Sequence, residues 1–333
     1  MANASQVWTI KAALDWTVGY LARKGDENPR LSAEWLLAEA TSMRRVELYV
    51  NFDRPLSSEE RAVLRDYVAR RGAGEPLQYI TGEVAFRHIA VKVRPGVLIP
   101  RPETEVLVSE ALSLLPARKR RCATDSMPSG DIAARAAQAC AEKTGEGRLA
   151  DAAPAKEEAP DSSVLVADIC TGSGCIACSI AYEYPSACVF ATDLSSRAAE
   201  LARENVQALG LCERVTVLEC DLAGDLSHSH AHAFDLVVSN PPYIPDAAMD
   251  ALPREVSSYE PRLALAGGPD GLDVFRRLLD ETAALLKPDG AFAFELHEDC
   301  LDAARDLAQA AGYRDVRIVE DLAGRPRVLT GRR

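Results

Sequence analysis

"VADICTGSGCIA", Val166 to Ala177, carries an apolar run into a glycine turn and out again into a helix-compatible segment. The run Val164–Ile169 reads as a buried strand, Gly172-Ser173-Gly174 lets the backbone turn tightly, and a helix follows at once. The same alternation continues down the chain. Strands are expected at Val164–Ile169, Val189–Thr192, Val215–Glu219, Phe234–Ser239, Ala291–Leu296 and Val316–Val319, with a last one near Val328–Thr330. Helices fall between them, one over Ser196–Leu209 that stops at Gly210 and one over Val274–Leu286 that ends before Lys287-Pro288-Asp289-Gly290. This pattern predicts the α/β class: a doubly wound, mostly parallel seven-stranded sheet with helices on both faces. Ligands of such sheets bind at the carboxyl ends of the strands.

The first part of the chain follows another rule. Ile10, Ala13, Leu14, Thr17, Val18 and Leu21 recur at helical spacing, as do Ala33, Leu36, Leu37, Ala40 and Met43. A third helix opens at a capping box, Ser57 with Glu60, and stops at Gly72. Residues 1–75 are therefore expected to form a small helical domain for packing or partner docking, without catalytic side chains. Short β-rich runs at Val84–Phe86, Ile89–Val93 and Val97–Ile99 make residues 76–99 a hairpin bridge. Residues 100–333 form the main domain, with Pro100 and Pro102 stiffening the chain before a helix near Glu103. Within it, residues 117–163 hold 13 alanines, no aromatic residue, and only Met127, Ile132 and Leu149 as large apolar side chains. Such a segment buries too little surface to offset its ordering entropy, so a mobile low-complexity insertion is expected there.

Bulk composition narrows the class. At 333 residues, 47% hydrophobic and 26% charged, the chain is long enough for two domains of ordinary globular composition. No apolar run approaches the ~18 residues that span a bilayer. The N-terminus has no apolar signal core, so a cytoplasmic protein without membrane contact is expected. Nine cysteines are scattered. Cys170, Cys175 and Cys178 cluster without a fourth ligand nearby, which favours small buried thiols over a metal site. Residues 164–333 carry 15 basic against 27 acidic side chains, which is the whole of the −12 net charge. An enzyme gripping nucleic acid concentrates positive charge where phosphates lie, so no direct nucleic-acid partner is expected.

The glycine turn alone does not choose a cofactor, since Gly172-x-Gly174-x-x-Ala177 also fits a dinucleotide fingerprint. The acids around it do. Asp193 ends the second strand, nineteen residues after Gly174, where a carboxylate can accept both ribose hydroxyls of a nucleoside. Asp221 ends the third strand, placed to receive an adenine amine. Asp168 ends the first, placed to hold an ammonium or to organise the turn. Three acids suit a positively charged nucleoside cofactor better than a pyrophosphate. S-adenosylmethionine, with a sulfonium and an amino group, fits; NAD fits less well.

The fourth strand runs into "VVSNPPYIP", Val237–Pro245. Proline has no N–H and cannot extend a ladder, so Asn240-Pro241-Pro242-Tyr243 forms a rigid corner at the switch in strand order. Asn240 offers an amide oxygen and Pro241 a backbone carbonyl, both acceptors, while Tyr243 offers a flat wall. Two fixed acceptors suit a planar –NH2 group. Its lone pair is delocalised and poorly nucleophilic; holding both hydrogens lets the nitrogen pyramidalise towards a methyl donor and stabilises the charge that grows on it.

These motifs together resemble the bacterial release factor glutamine methyltransferases, protein-(glutamine-N5) methyltransferases of the class I S-adenosylmethionine-dependent fold. The resemblance rests on "PLQYITGE", "GVLIPRPETE", "DICTGSGCIA", "ATDLS", "VVSNPPYIP", "YEPRLALAGGPDGL" and "DLAGRPRVLTGR", in family order and covering nearly all of the chain apart from residues 117–163. It implies a cofactor site at Cys170, Thr171, Gly172, Ser173, Gly174, Asp193, Leu222 beside Asp221, and Asn240. It also implies a glutamine site at Asn240, Pro241, Pro242 and Tyr243. The implied partners are class 1 peptide chain release factors, whose Gly-Gly-Gln loop supplies the glutamine and which the N-terminal domain helps to hold. Two departures stand out: relatives tend to have glycine at Cys170, and a glycine shortly after the fifth-strand acid, where this chain reads "ELHED", Glu295–Asp299. Three other readings share part of the pattern. A DNA adenine-amino methyltransferase shares Asn-Pro-Pro-Tyr but needs a basic face; a ribosomal-protein glutamine methyltransferase shares all the chemistry; a non-catalytic relative would not need the intact corner and Asp193.

Overall fold

The computed structural model describes residues 7–116, 163–224, 226–321 and 323–333. All of the expected insertion except Ser163 lies outside them. The described chain divides into two compact units, one made of residues up to Glu83 with Val93–Pro95 and Leu252–Glu260, the other of Val84–Lys92, Gly96–Ala251 and Pro261–Arg333.

The first unit is helical, with helices Ile10–Lys24, Pro29–Thr41, Arg45–Val50, Ser58–Gly72 and Leu77–Thr81. Thr9 caps the first through its hydroxyl, and Gly25 ends it at φ +87°, a left-handed position that suits glycine. Ser57 and Glu60 cap the fourth reciprocally, at 3.1 and 2.8 Å. Ile10, Leu14, Leu21, Leu36, Leu37 and Leu48 form the core. The unit runs past residue 75 because the Leu77–Thr81 helix buries Ile80 in that same core. Leu252–Glu260 returns to it: Arg71, only 9% exposed, pairs with Asp26 at 2.7 Å and with Glu255 at 2.8 Å.

The second unit holds, from Val84 on, the hairpin β1 (Glu83–Phe86) and β2 (Ile89–Lys92), and a seven-stranded sheet. Its strands are β3 (Val164–Ile169), β4 (Ala187–Asp193), β5 (Val215–Glu219), β6 (Phe234–Ser239), β7 (Leu286–Glu295), β8 (Arg314–Glu320) and β9 (Pro326–Arg332), in the order β5-β4-β3-β6-β7-β9-β8. Strands β3 to β7 pair in parallel, and β9 runs antiparallel to both its neighbours. Side chains of β3 alternate between two cores. Val164 and Val166 join Leu107, Ile176 and Ile180 on one face, while Ala167 and Ile169 join Phe275, Phe292 and Leu301 on the other. The order reverses between β3 and β6, which puts the switch point beside the glycine turn. No helix among the described residues is long and apolar enough to cross a membrane.

Two segments differ from the reading of local sequence. Val97–Ile99 is not a strand. Gly96 at φ +93° turns the chain, Pro100 and Pro102 withhold donors, and Val97 packs instead on Ala198 and Leu201. Strand β7 begins at Leu286 rather than Ala291, because Lys287-Pro288-Asp289-Gly290 bulges out between two paired stretches: Phe234 pairs with Leu286, and Leu236 already with Ala291. Proline sits there without a missing ladder bond.

The Arg87 side chain ties the hairpin to the sheet domain. Arg87 makes a bidentate pair with Glu183 at 2.6 and 2.8 Å, and its remaining nitrogen reaches the Glu105 carbonyl at 2.8 Å and the Ser109 hydroxyl at 2.6 Å. Both members of the pair are 15% exposed. Removing one partner of a pair so shielded leaves an uncompensated charge. Arg87→Ala is expected to lower unfolding free energy by about 3 kcal/mol, read as a reduced urea midpoint with unchanged slope; an unshifted midpoint contradicts this role.

Candidate active site

At the carboxyl end of β3 the backbone takes three left-handed residues in five: Cys170 at φ +61°, Gly172 at +58° and Gly174 at +80°. Gly174 needs its lack of a side chain twice over, since a Cβ there would also lie 3.1 Å from the Ala202 Cβ of the Ser196–Ala208 helix. Gly172 has open space instead: an added Cβ meets no protein atom within 4 Å. Cys170 carries a Cβ in a conformation that favours glycine, which costs on the order of 1 kcal/mol and gives the expected departure at this position a physical meaning.

Acids hold the turn in shape. Asp168 is fully buried and does not face the cavity; its Oδ2 accepts from the Thr171 hydroxyl at 2.6 Å and the Ala177 N–H at 3.0 Å. Those two bonds serve its expected task of organising the turn, while its Oδ1 is buried without a hydrogen-bond partner. Burial pushes its carboxyl up to about 7, against those two donors. Asp193 braces the turn from β4: Oδ2 accepts from the Gly172 N–H at 2.8 Å and Oδ1 from the Ser195 N–H at 2.9 Å. Burial raises its pKa and the two N–H groups oppose the rise. Asn205 adds a third brace, its Nδ2 donating to the Ser173 carbonyl at 2.8 Å.

A cavity of about 240 Å³ opens above this turn. Cys170, Thr171, Gly172, Ser173, Asp193, Asp221, Leu222, Asn240 and Pro242 all line it. The opposite wall comes from Gly96–Leu98, Pro100, Arg101 and Thr104 of the "GVLIPRPETE" stretch. Asp221 is half exposed and ion-paired with Arg277 at 2.7 Å, a lining residue that sequence spacing did not reveal. The acidity expected of the pocket is thereby partly offset. Even so, the donor set fits S-adenosylmethionine. The turn is open at Gly172, each Asp193 oxygen keeps a lone pair beyond its N–H bond, and an apolar strip from Val97 to Leu222 suits an adenine face.

At the end of β6, Ser239 donates to the Ile169 carbonyl at 2.6 Å, fixing the two strand ends to each other. Asn240 donates Nδ2 to the Thr104 hydroxyl oxygen at 3.2 Å, which leaves Oδ1 without that bond. Pro241 is buried, and Tyr243 does not line the cavity: its ring packs on the Phe-rich core and its hydroxyl donates to Glu295 Oε1 at 3.3 Å. Burial pushes the Tyr243 phenol well above its usual range. The loop after the corner is clamped by "GGPDG". Ile244 donates to the Leu265 carbonyl at 2.8 Å, and the Gly267 N–H to the Ile244 carbonyl at 2.9 Å. A Cβ at Gly267 would stand 2.7 Å from the Tyr243 Cα, and one at Gly271 2.5 Å from its carbonyl oxygen, so both positions require glycine. Thr104 and Glu295 were visible only as letters in motifs; their meeting depends on tertiary packing.

Comparison with known proteins agrees with this geometry. Residues 12–82 match the family described as PrmC N-terminal domain, and residues 155–255 match the methyltransferase small domain. A release factor glutamine methyltransferase of Geobacter sulfurreducens is 40% identical over 332 residues, covering 100% of this chain and 99% of that one. Its namesake in Rhodopirellula baltica is 38% identical over 324 residues, covering 97% and 96%, and that in Moorella thermoacetica 40% over 320 residues, covering 96% of each. A glycine turn braced by Asp193, an Asn-Pro-Pro-Tyr corner at the switch point, and full-length similarity of this degree have one common reading: the chain belongs to the release factor glutamine methyltransferase family.

Proposed function

We propose that this enzyme methylates N5 of the glutamine in the Gly-Gly-Gln loop of class 1 peptide chain release factors, in the cytoplasm where those factors act. The observation that carries the proposal is the fixed polarity of Asn240. With Nδ2 engaged by Thr104, its Oδ1 is an acceptor at the cavity wall. S-adenosylmethionine, when bound, supplies an electrophilic methyl group on a sulfonium. The turn Cys170–Gly174, Asp193, Asp221 and Leu222 are the residues that would hold it. Asn240 Oδ1 and the Pro241 carbonyl take the two amide hydrogens of the glutamine, and Pro241 and Pro242 fix the directions of both acceptors. That grip turns the nitrogen lone pair towards the methyl group and stabilises charge developing on nitrogen. The alkylated nitrogen is acidic enough to release its proton to water, so no strong general base is needed. Tyr243 acts by packing: partly buried against the core and bonded to Glu295, it backs the corner. The helical unit and its Leu252–Glu260 segment supply the docking surface for the factor.

Incubation with labelled S-adenosylmethionine and purified release factor tests the substrate. Label is expected on wild-type factor and absent from a Gln→Ala factor altered in the Gly-Gly-Gln loop. Label on both, or on neither, refutes the assignment, and label on a ribosomal protein alone moves it to the rival substrate. Asn240→Ala is expected to lower kcat at least about a hundredfold while cofactor affinity stays within about tenfold. An undiminished kcat in that variant contradicts the mechanism.

A further inference from the structure

Among the described residues, the sheet domain buries at the end of β7 a carboxyl group that takes no part in the proposed reaction. Glu295, at the end of β7, is 2% exposed. Its Oε1 accepts from the Tyr243 hydroxyl, while its Oε2 is buried with no hydrogen-bond partner. Thr104 stands beside the same carboxyl and favours its ionised form. The Thr104 oxygen accepts from Asn240 Nδ2, which leaves its hydroxyl hydrogen free to turn towards Glu295. Tyr243 and Asn240, the two ends of the substrate corner, thus converge on one buried acid.

We infer that Glu295 is a positioning residue that sets the flip of the Asn240 carboxamide through Thr104. The reasoning is one of donor and acceptor polarity and rests on the function proposed above. An ionised carboxylate only accepts, so Thr104 must donate to it and can offer Asn240 only a lone pair. Asn240 answers with Nδ2 and presents Oδ1 to the substrate amide. When the acid is protonated it becomes able to donate to the Thr104 oxygen. The Thr104 hydrogen then turns to Asn240, whose amide flips and faces the substrate –NH2 with its own –NH2. Two donors cannot hold each other, and the corner loses its grip.

Protonation falls in an accessible range. Burial pushes the Glu295 carboxyl up to about 7, with Thr104, Tyr243 and Arg327 pulling it down and Glu103 raising it further. The Cys175 thiol also feels this charge, and the His297 ring stands 6.4 Å from that of Tyr243. The carboxylate is the active form, so kcat is complete above this value and falls as pH drops through it. Asp168, also near 7, is the competing source of such a limb.

The test is the pH profile of kcat with release factor and saturating S-adenosylmethionine. Glu295→Gln, which can donate to Thr104 at every pH, is expected to lower kcat about tenfold and abolish the acid limb, with cofactor affinity unchanged. Thr104→Val is expected to match that loss, Thr104→Ser to restore wild-type behaviour, and His297→Gln to keep the limb. A Glu295→Gln enzyme that keeps its acid limb, whatever its kcat, overturns the inference, as does wild-type turnover by Thr104→Val or loss of the limb in His297→Gln. A wild-type enzyme inactive on the Gly-Gly-Gln glutamine refutes the proposed function instead, so the two failures are told apart. Because Thr104→Val exchanges only the hydroxyl for a methyl and Thr104→Ser keeps that hydroxyl, their comparison stands even where Glu295→Gln folds poorly.

Discussion

One hydrogen bond, from Asn240 Nδ2 to Thr104 Oγ1, sets which way the Asn240 carboxamide faces, and on the proposed function that orientation decides what the corner recognises. An asparagine side chain is a donor on one side and an acceptor on the other, nearly equal in shape. Only one orientation complements a substrate amide. The bond is neutral and contributes a net of about 1 kcal/mol to stability, but it selects between two states that differ completely in chemistry. Much of the local architecture bears on it. The Ser239 tie to Ile169 fixes the end of β6, Pro241 and Pro242 stiffen the exit, and Gly267 and Gly271 let a loop press on the Tyr243 backbone.

The cofactor side shows the same economy of contacts. Asp193 reaches across from β4 to hold the Gly172 N–H, Asp168 holds Thr171 and Ala177 from beneath, and Asn205 holds Ser173 from the neighbouring helix. The turn is thus preorganised by hydrogen bonds with these three side chains before any ligand arrives. Preorganisation of this kind lowers the cost of binding. It also explains how cysteine is tolerated at position 170: the surroundings over-determine a left-handed conformation that cysteine alone would avoid.

How much of this was legible depended on range. The strand–turn–helix at Val164–Glu183 was readable because an apolar run, two glycines and a helical period lie within one short window. So was Asn-Pro-Pro-Tyr, because proline states its backbone restriction in any context. The Arg45–Val50 and Leu77–Thr81 helices were missed because one or two turns do not establish a period. Val97–Ile99 misled because β-propensity is local, whereas Gly96 and the flanking prolines ruled out pairing. The Arg277–Asp221 pair, the Thr104–Asn240 bond and the Glu295–Tyr243 bond join residues 56, 136 and 52 positions apart, and nothing in their spacing announces them. Nor could local reading show that Leu252–Glu260 belongs with the helical unit.

The most direct measurement is a crystal structure with a Gly-Gly-Gln peptide and the demethylated cofactor. The account predicts the glutamine amide nitrogen within hydrogen-bonding distance of both Asn240 Oδ1 and the Pro241 carbonyl oxygen, with Nδ2 still turned to Thr104. An amide lodged elsewhere, or one meeting Nδ2 of Asn240, contradicts it.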